Sequence, residues 1–483
     1  MAEGAKSPSV KWYLAFALVV LVVLTATGVW NPFPDIWAWV NRDRPLSNPA
    51  PLWQERLGAS IQDVTVAGDA VVVRHRTTVE ARSVTTGVRL WEHKADWATV
   101  AGGERDAVVA VGRLLTKGYE VLDPTTGAVR RRDTSAVAVW TYRNALLDAR
   151  CASARDCTLT AWEPRGSQPL WSAFLPGVSA GLFADNPRVL GTRRLTADRV
   201  DGQAGGPEPM PALLGLPVDG RAMIVDTATG RVVQDFEQDR EDRVVVVGGR
   251  LLRIEARSAD GTCYFTIVAR DPANGQEVWR RTGINLRTAD GAGCAQREDP
   301  QGGQNVLGGV AADGRETVLD GYDGGKLWTG LGGERLLAVD DRYALVRADG
   351  GAAVNGHELT VASRRWTRPT DREVAAALTR YAAVLVERDP DRITALDRRT
   401  GRELVALRSS AKVFAVGPRG IVIGDGRDLA YVPFGTGTPA PAAPAGGLPG
   451  GGAPDRGGAP GDAPTCGGPK NERCPAEDGG KDG

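Results

Sequence analysis

The sequence has no excess of charge of either sign and only three histidines. Its 483 residues carry 59 basic and 59 acidic side chains, so the formal net charge is zero. Because nucleic-acid binding depends on basic surfaces that neutralise phosphates, this balance predicts no nucleic-acid partner. The only histidines, His75, His93 and His357, lack metal-ligand spacing and an HExxH helix, so they predict surface or structural hydrogen bonds rather than a zinc centre.

Two glycine-rich stretches lack the context that catalysis or nucleotide binding would require. The pattern Gly177-Val178-Ser179-Ala180-Gly181 resembles a serine-hydrolase elbow, but no long amphipathic helix follows and only His357 lies downstream as a base. Gly330, Gly332 and Gly333 have neither βαβ surroundings nor the Lys-Ser/Thr pair of a phosphate loop. We interpret the serine pattern as a coincidence and the other glycines as turns.

Long uncharged hydrophobic runs are also scarce, with one exception near the amino terminus. Residues 12–30 contain no charged side chain and are numerous enough to span a bilayer as a helix. Lys6 and Lys11 precede the run, whereas Trp30, Trp37 and Trp39 end or follow it, which orients residues 1–11 to the cytoplasm. A single-pass anchor in the cell membrane is therefore predicted, with the remainder outside the cytoplasm after a linker at 31–50.

The alternative for this run is a cleavable signal peptide. The small residues Thr25-Ala26-Thr27-Gly28 resemble a processing site. The apolar stretch is longer than a usual signal core, which favours the anchor. Both interpretations predict export.

The six cysteines form three couples that are local in sequence. An even number of cysteines is typical of an oxidising compartment, although other pairings remain open. The predicted disulfides are Cys151 with Cys157, Cys263 with Cys294, and Cys466 with Cys474. The last couple lies in residues 435–483, a Gly/Pro/Ala-rich stretch that we predict to be a disordered tail.

A turn followed by a short strand, which often carries Trp, recurs every forty to fifty residues or so, as expected of propeller blades. The eight instances begin at Thr85, Asp123, Glu163, Asp226, Asp271, Gly321, Ala362 and Asp397. The second lacks the Trp, the fourth follows a long interval and the seventh is degenerate. In the regular copies an Asp caps the turn and a Gly supplies positive φ, while β-rich runs precede it. Residues 51–434 are thus predicted to be an all-β propeller of four-stranded blades.

The repeats resemble those of the quinoprotein-like (PQQ-repeat) β-propeller superfamily, which read approximately ALD-x-x-TG-x-x-LW. Stretches such as DPANGQEVW (Asp271–Trp279) carry the resemblance. Pro51–Gly58 has the pattern of an orphan strand, and Lys412–Phe434 that of three strands lacking one, so their pairing would close the ring. Taken literally, the count of blades exceeds eight. We nevertheless predict eight blades, with seven as the alternative.

The superfamily includes both PQQ- and calcium-dependent dehydrogenases and noncatalytic scaffolds of envelope protein assembly. Its dehydrogenases often carry a disulfide between adjacent cysteines, and no such pair exists here. Asp320 and Asp323 are candidate axial ligands, but turn formation explains them better. The Arg130-Arg131-Arg132 run is followed at once by Asp133, which indicates a solvated strand edge rather than an anion site. We therefore expect a scaffold that binds an envelope protein or peptide, with no catalytic residues, metal or cofactor; the alternative is a dehydrogenase.

Overall fold

The computed structural model describes residues 50–152, 156–178, 200, 204–218, 221–237, 243–289, 293–296, 298, 301–361, 363–371, 373–388 and 391–435. The predicted membrane segment 12–30, the tail beyond residue 435, and Cys466 and Cys474 lie outside these residues. Within them, no helix is long and apolar enough to cross a bilayer.

The described chain forms antiparallel sheets that follow one another along the sequence. Strand β1 (Trp53–Arg56) precedes the first complete sheet. Blades one to three consist of β2 (Asp63–Ala67), β3 (Ala70–Arg74), β4 (Val79–Ser83) and β5 (Arg89–His93); β6 (Trp97–Ala101), β7 (Val108–Gly112), β8 (Tyr119–Leu122) and β9 (Val129–Asp133); and β10 (Ala138–Thr141), β11 (Leu146–Cys151), β12 (Asp156–Trp162) and β13 (Pro169–Pro176).

Blades four to six have the same order except that the fourth has three described strands. They consist of β14 (Leu213–Val218), β15 (Arg221–Asp226) and β16 (Val232–Glu237); β17 (Arg243–Val247), β18 (Arg250–Ala259), β19 (Thr262–Arg270) and β20 (Glu277–Thr282); and β21 (Ile284–Asn285), β22 (Val306–Ala311), β23 (Glu316–Asp320) and β24 (Lys326–Thr329).

Blades seven and eight are four-stranded, and short 3₁₀ turns at Asp349–Gly351 and Leu359–Val361 interrupt the seventh. They consist of β25 (Arg335–Val339), β26 (Tyr343–Arg347), β27 (Ala353–Glu358) and β28 (Ser363–Pro369); and β29 (Ala375–Leu378), β30 (Ala383–Arg388), β31 (Asp391–Leu396) and β32 (Glu403–Leu407). The remaining strands are β33 (Lys412–Val416), β34 (Gly420–Asp425) and β35 (Asp428–Pro433).

The predicted closure of the ring is confirmed. Strand β1 pairs with β35, with Trp53 opposite Tyr431 and Arg56 opposite Asp428, and the sheet order is β1-β35-β34-β33. The two ends of the described chain therefore share one blade. This pairing covers the edge of β35 and gives the last blade its fourth strand.

The predicted number of blades is wrong, because the described residues form nine sheets rather than eight or seven. Each of the eight repeats belongs to its own blade, including the degenerate seventh. The ninth blade is the composite one, and it has no turn between its third and fourth strands because these come from opposite ends of the chain. A count of turns alone misses such a blade.

Nine buried apolar clusters join the blades in a closed ring, each spanning two neighbouring blades within the described residues. Trp53, Val71 and Phe414, for example, connect the ninth blade to the first. The inner strands read as continuous apolar runs, such as Ala70–Arg74, because neighbouring blades cover both faces. The outermost strands, such as Arg89–His93, are largely exposed.

A tryptophan of one blade packs on the turn glycine of the next at five of the nine described interfaces. Trp91 Nε1 donates to Pro124 O at 2.9 Å, and a Cβ on Gly127 would lie 2.7 Å from the same indole. Only glycine permits this approach. The other four pairs are Trp53 with Gly87, Trp171 with Gly230, Trp279 with Gly324 and Trp366 with Gly401.

Different side chains replace this contact at three of the other four interfaces. Arg131 stands in the tryptophan position of the second blade, where Nη1 donates to Gly166 O at 3.0 Å and the guanidinium lies 4.4 Å from the Trp162 ring. Gln234 takes the position in the fourth blade, beside Gly275. In the sixth blade Trp328 meets the ring of His357 at 5.6 Å between centroids instead of a glycine turn.

Candidate binding surfaces

The two faces of the ring carry different connections. The turns between first and second strands and those between third and fourth strands share one face, which we call the turn face. In the first blade, Val84 N donates to Asp69 O across these two turns at 3.0 Å. The connections between second and third strands and those between blades lie on the opposite face, the loop face.

Both ends of the described chain leave the ring at the turn face. Leu52 N donates to Tyr431 O at 2.8 Å, and Trp53 lies over the turn glycine Gly87. Phe434 N donates to Arg419 O at 2.7 Å, in the first turn of the ninth blade. The loop face is consequently free of both ends.

A segment that precedes the fourth blade lies inside the channel. Val200 forms a parallel bridge with Val413 of β33, and Ala204 O accepts a hydrogen bond from Val416 N at 2.6 Å. Both Val200 and Ala204 are buried in the cluster that joins the eighth and ninth blades. Val200 and Ala204 thus lie against β33 of the ninth blade, whereas the fourth blade has no described innermost strand.

The chain then crosses the turn face as a strap, Ala204–Pro211. Arg143 N donates to Glu208 O at 2.7 Å, and Met210 N donates to Asn144 Oδ1 at 2.7 Å, both in the third blade. Gln304 Nε2 of the sixth blade donates to Pro209 O. Main-chain hydrogen bonds therefore fasten the strap to blades on several sides of the channel mouth.

A small pocket lies beside the strap at this mouth. Its volume of about 10 Å³ is room for roughly one water molecule. Its lining is mostly backbone and small residues from the first, second, eighth and ninth blades: Val66, Gly68, Val100, Gly102, Gly103, Glu104, Ala107, Ala204, Gly205, Gly206, Pro207, Arg380, Tyr381, Val416 and Pro418.

Three polar side chains of this pocket form a chain. Arg380 Nη2 donates to Tyr381 Oη, and Tyr381 Oη donates to Glu104 Oε1 at 3.2 Å. The Arg380 guanidinium also lies 4.5 Å from the Tyr381 ring centre. Burial raises the pKa of Tyr381 although the Arg380 charge opposes the shift, so the phenol keeps its proton and remains a donor at neutral pH.

The loop face exposes several large apolar side chains. Leu114 and Leu115, between the second and third strands of the second blade, are 74% and 99% exposed. Leu331, in the connection from the sixth blade to the seventh, is 70% exposed. Single exposed leucines are ordinary, but an adjacent pair at a loop tip presents apolar surface that a partner could cover.

The candidate axial ligands Asp320 and Asp323 are turn residues. Asp320 Oδ1 accepts from Tyr322 N at 2.7 Å, and Asp323 Oδ1 accepts from Gly325 N at 2.7 Å. Among the described residues, no group of three or more His, Cys, Asp and Glu side chains is arranged to hold a metal ion. The Asp320 and Asp323 carboxylates therefore accept main-chain hydrogen bonds within their own turns.

The three histidines lie in separate environments. His75 is buried beside Glu80, and its hydrogen bond with that carboxylate raises the pKa of the imidazole despite burial. His93 Nε2 lies 3.2 Å from Glu120 Oε2. Burial lowers the pKa of His357, which packs on Trp328.

The other sequence motifs that lie among the described residues have structural roles. Arg130 pairs with Asp123 at 2.7 Å and Arg132 with Glu120 at 2.5 Å, while Arg131 serves the blade interface. The arginines therefore do not form one anion site. Gly330 N donates to Glu316 O in the loop after β24, and Gly333 has a φ of 83°. Ser179 of the hydrolase-like pattern lies outside the described residues.

Two of the three predicted disulfides are present. Cys151–Cys157 joins directly opposite residues of β11 and β12 in the third blade. Cys263–Cys294 joins β19 to the long connection within the sixth blade. Both therefore bridge segments that are already close in the fold.

One polar group that sequence reasoning missed is Asp148, which is fully buried between the second and third blades. Its Oδ2 accepts hydrogen bonds from Tyr119 Oη at 2.7 Å, Trp162 Nε1 at 2.8 Å and Arg150 Nη2 at 3.1 Å. Burial raises the pKa of the carboxyl group, although these donors oppose the shift. The available signal was an Asp inside the apolar run Leu146-Leu147-Asp148-Ala149.

Comparisons with protein-family models and with curated proteins give no match. Similar solved structures include that of BamB from Moraxella catarrhalis, at 15% identity and a TM-score of 0.33, covering 74% of this chain and 99% of that one. A europium-containing methanol dehydrogenase is 12% identical, with a TM-score of 0.33 and coverage of 77% and 84%. A eukaryotic initiation factor is 10% identical, with a TM-score of 0.42 and coverage of 81% and 92%.

These similarities are too weak to support an argument about function. The assignment as a β-propeller rests on the nine sheets and on the clusters that join them in a ring.

Proposed function

We propose that this chain is a membrane-tethered propeller outside the cytoplasm that binds a protein or peptide partner of the cell envelope. The observation that carries the proposal is the exit of both described chain ends on the turn face. If residues 12–30 anchor the chain, the loop face is left unobstructed for a partner. A closed ring holds its loops on a rigid frame, which favours binding.

Two further features support this proposal. The Cys151–Cys157 and Cys263–Cys294 disulfides are of the kind that persist in oxidising compartments. Leu114 and Leu115 expose apolar surface on the loop face. The carboxylates of Asp320 and Asp123, by contrast, are engaged in a turn hydrogen bond and an ion pair.

The location is tested by cell fractionation and protease accessibility. We expect the whole chain to remain with membranes after alkaline carbonate extraction, and a version lacking residues 12–30 to be released. Protease added outside intact cells should cleave an epitope tag placed after residue 435. Protection of that tag until the cells are lysed would contradict the proposed orientation.

The partner surface is tested by photo-crosslinking in cells. A benzophenone amino acid replaces Leu115 on the loop face, and in a matched control it replaces Tyr322, which is 59% exposed on the turn face. We expect one reproducible adduct with an envelope protein from position 115 and none from position 322. Adducts from neither position, or only from 322, would contradict loop-face binding.

The alternative, a PQQ- and calcium-dependent dehydrogenase, is tested by calorimetry. Because the candidate ligands Asp320 and Asp323 accept hydrogen bonds within their turns, we expect no heat when PQQ is titrated into the folded, oxidised chain with or without calcium. Stoichiometric, calcium-dependent binding would overturn the scaffold proposal.

A further inference from the structure

The outermost strand of the third blade, β13 (Pro169–Pro176), differs from the other outermost strands of the described ring in charge. It is eight residues long and carries no charged side chain. Each of the other outermost strands carries at least one Arg, Lys, Asp or Glu, as in Arg89–His93 and Val129–Asp133. Charged side chains keep the open edges of sheets from pairing with other chains, so β13 lacks a common protection of such an edge.

This strand also exposes apolar side chains at the rim of the ring. Phe174 is 61% exposed and Leu170 is 48% exposed. Ala173 and Leu175 are instead buried in the cluster between the third and fourth blades. Alternate residues of a strand point to opposite faces of the sheet, so β13 has one covered face and one apolar face that a partner can cover.

The hairpin before β13 shows which way the main chain of the third blade points. Ala152 N donates to Asp156 O at 3.1 Å, so these two opposed residues direct their main-chain groups toward each other. The next opposed pair is Cys151 and Cys157. Because the direction of main-chain groups alternates along an antiparallel strand, Cys157 directs its N–H and C=O toward β13.

The same alternation identifies the outward-facing groups of β13. Leu175 lies opposite Cys157 and therefore exchanges hydrogen bonds with β12. Ser172 and Phe174 consequently direct their N–H and C=O groups away from the ring, and within the described part of the chain no strand lies beyond β13 in this blade. Pro176, the next residue in the outward-facing series, has no N–H and ends the available edge.

We propose that an extended segment of a partner protein pairs with β13 and adds a strand to the outer edge of the third blade. The N–H and C=O groups of Ser172 and Phe174 hydrogen-bond to its main chain, and Leu170 and Phe174 contact apolar side chains at its alternate positions. The segment is uncharged where it covers these side chains, because a charge buried there would be unpaired. This rim site goes beyond the loop-face contact proposed above.

A second copy of this chain does not suit this edge. Two copies of β13 that pair around a two-fold axis run antiparallel, because directly opposed residues of parallel strands do not exchange hydrogen bonds. One ring is then inverted relative to the other. Both ends of the described chain leave the ring at the turn face. Given the membrane tether of the proposed function, on which this exclusion rests, two chains anchored in one membrane cannot pair in this way.

The test uses the whole chain in a nonionic detergent and two forms of one synthetic peptide. The probe is acetyl-Lys-Val-Thr-Val-Thr-Val-Lys-amide with both threonine nitrogens methylated, so that it can pair along only its valine edge. The control peptide carries one more methyl group, on the central valine nitrogen. Calorimetry should show saturable binding of the probe and at least about tenfold weaker binding of the control, because a hydrogen bond to β13 is lost. Hydrogen exchange should slow in β13 when the probe binds.

Substitutions in the chain test the same edge from the other side. Ser172→Pro removes an outward N–H, which an edge strand tolerates, and should weaken binding of the probe at least about tenfold. Its control, Ser172→Ala, keeps the N–H but removes the hydroxyl that donates to Thr160 Oγ1 at 3.3 Å, and should bind like the parent chain.

A charge introduced on the edge gives a second pair of variants. Phe174→Lys supplies the kind of charge that other outermost strands carry and should also weaken binding at least about tenfold. Val278→Lys places the same charge on the outermost strand of the fifth blade, where Val278 is 47% exposed, and should bind like the parent chain. Circular dichroism checks that each variant is folded.

Equal binding of the two peptides, undiminished binding by the folded Ser172→Pro or Phe174→Lys variant, or no binding of the probe at millimolar concentration would overturn the proposal. Sedimentation of the parent chain tests the second copy. A dimer that Ser172→Pro abolishes would assign the edge to self-association and would also overturn the proposal. Crosslinking from position 115 does not involve β13, so failure of the rim site and failure of the loop-face scaffold are distinguished.

Discussion

The interface between the fifth and sixth blades and that between the fourth and fifth differ at one position of the repeat. The first places the indole of Trp279 on Gly324, whereas the second places the amide of Gln234 near Gly275. The two glycines have nearly the same φ, 71° and 70°. A Cβ on Gly324 would lie 2.7 Å from the indole, but a Cβ on Gly275 would lie 3.6 Å from the amide.

The two interfaces show that the turn carries glycine for two separate reasons. The turn requires positive φ at both positions, which L side chains adopt only at a cost. Close approach of the next blade requires glycine only where the tryptophan is present. The turn sequence that repeats along this chain therefore does not indicate how closely each pair of blades packs.

The largest expected effect is loss of the indole. Trp279→Ala should lower the free energy of unfolding by about 3–5 kcal/mol, because it opens a cavity in the cluster between two blades. Gln234→Ala at the corresponding position should cost about 0.5 kcal/mol. Urea unfolding, followed by the far-ultraviolet circular dichroism of the backbone, measures the free energy of unfolding of both variants. Similar losses would contradict the proposed difference between the interfaces.

The second comparison adds a methyl group to each turn. Both Gly324→Ala and Gly275→Ala pay about 1–2 kcal/mol for positive φ. Only Gly324→Ala also forces the indole away, at a further cost of about 1–3 kcal/mol. The measured quantity is the difference between their urea midpoints, and equal midpoints would show that the indole yields without cost.

A third change introduces the contact between a tryptophan and a turn glycine at the interface of the fourth and fifth blades. Gln234→Trp places an indole beside Gly275, as at the five interfaces with a tryptophan on a turn glycine, and should stabilise the chain by about 1 kcal/mol. Trp279→Gln, the reverse exchange, should destabilise it. A destabilised Gln234→Trp variant would mean that the fourth and fifth blades cannot approach as closely as the other pairs.

The smallest effect concerns pH at the interface between the second and third blades, where Arg131 stands in the position of the tryptophan that elsewhere packs on a turn glycine. Because burial raises the folded pKa of Asp148, its contribution to stability is lost as pH rises from the ordinary Asp value through the folded value. Asp148→Asn should therefore gain stability relative to the parent chain as pH rises from about 4.

Asp123, in the turn of the second blade, supplies the opposite sign. Burial opposes ionisation there, but hydrogen bonds from Arg130 and Thr125 outweigh it and lower the pKa. The parent chain should lose stability relative to Asp123→Asn as pH falls below the ordinary Asp value. Unfolding midpoints between pH 3 and 7, or about that range, measure both differences, and parallel curves for all three proteins would refute the assigned shifts.

The repeats revealed most of the fold because their signals are local. The turn glycine and the Asp that caps it lie within a few residues of one another, as in Asp226 and Gly230, where Asp226 Oδ1 accepts from Thr229 N at 2.9 Å. Ring closure was also visible, because the strand near Trp53 had no partner nearby in sequence. The ninth blade was missed in the count because its last connection is not a turn.

The channel segment could not be predicted, because its contacts join residues that are distant along the chain. Nothing near Ala204 in the sequence indicates that its carbonyl accepts a hydrogen bond from Val416 N. A single sequence does not show such long-range pairings.

The pairing of β1 with β35 has a consequence for biosynthesis. Trp53 and its strand emerge from the ribosome first, yet their partner around Tyr431 is made almost last. Until then, the first strand has no sheet to join, and the ring cannot close around its core. A nascent chain that stops early would expose an unsatisfied strand edge, which is a substrate for chaperones and proteases. A chain that stops before β35 therefore lacks the strand with which β1 pairs.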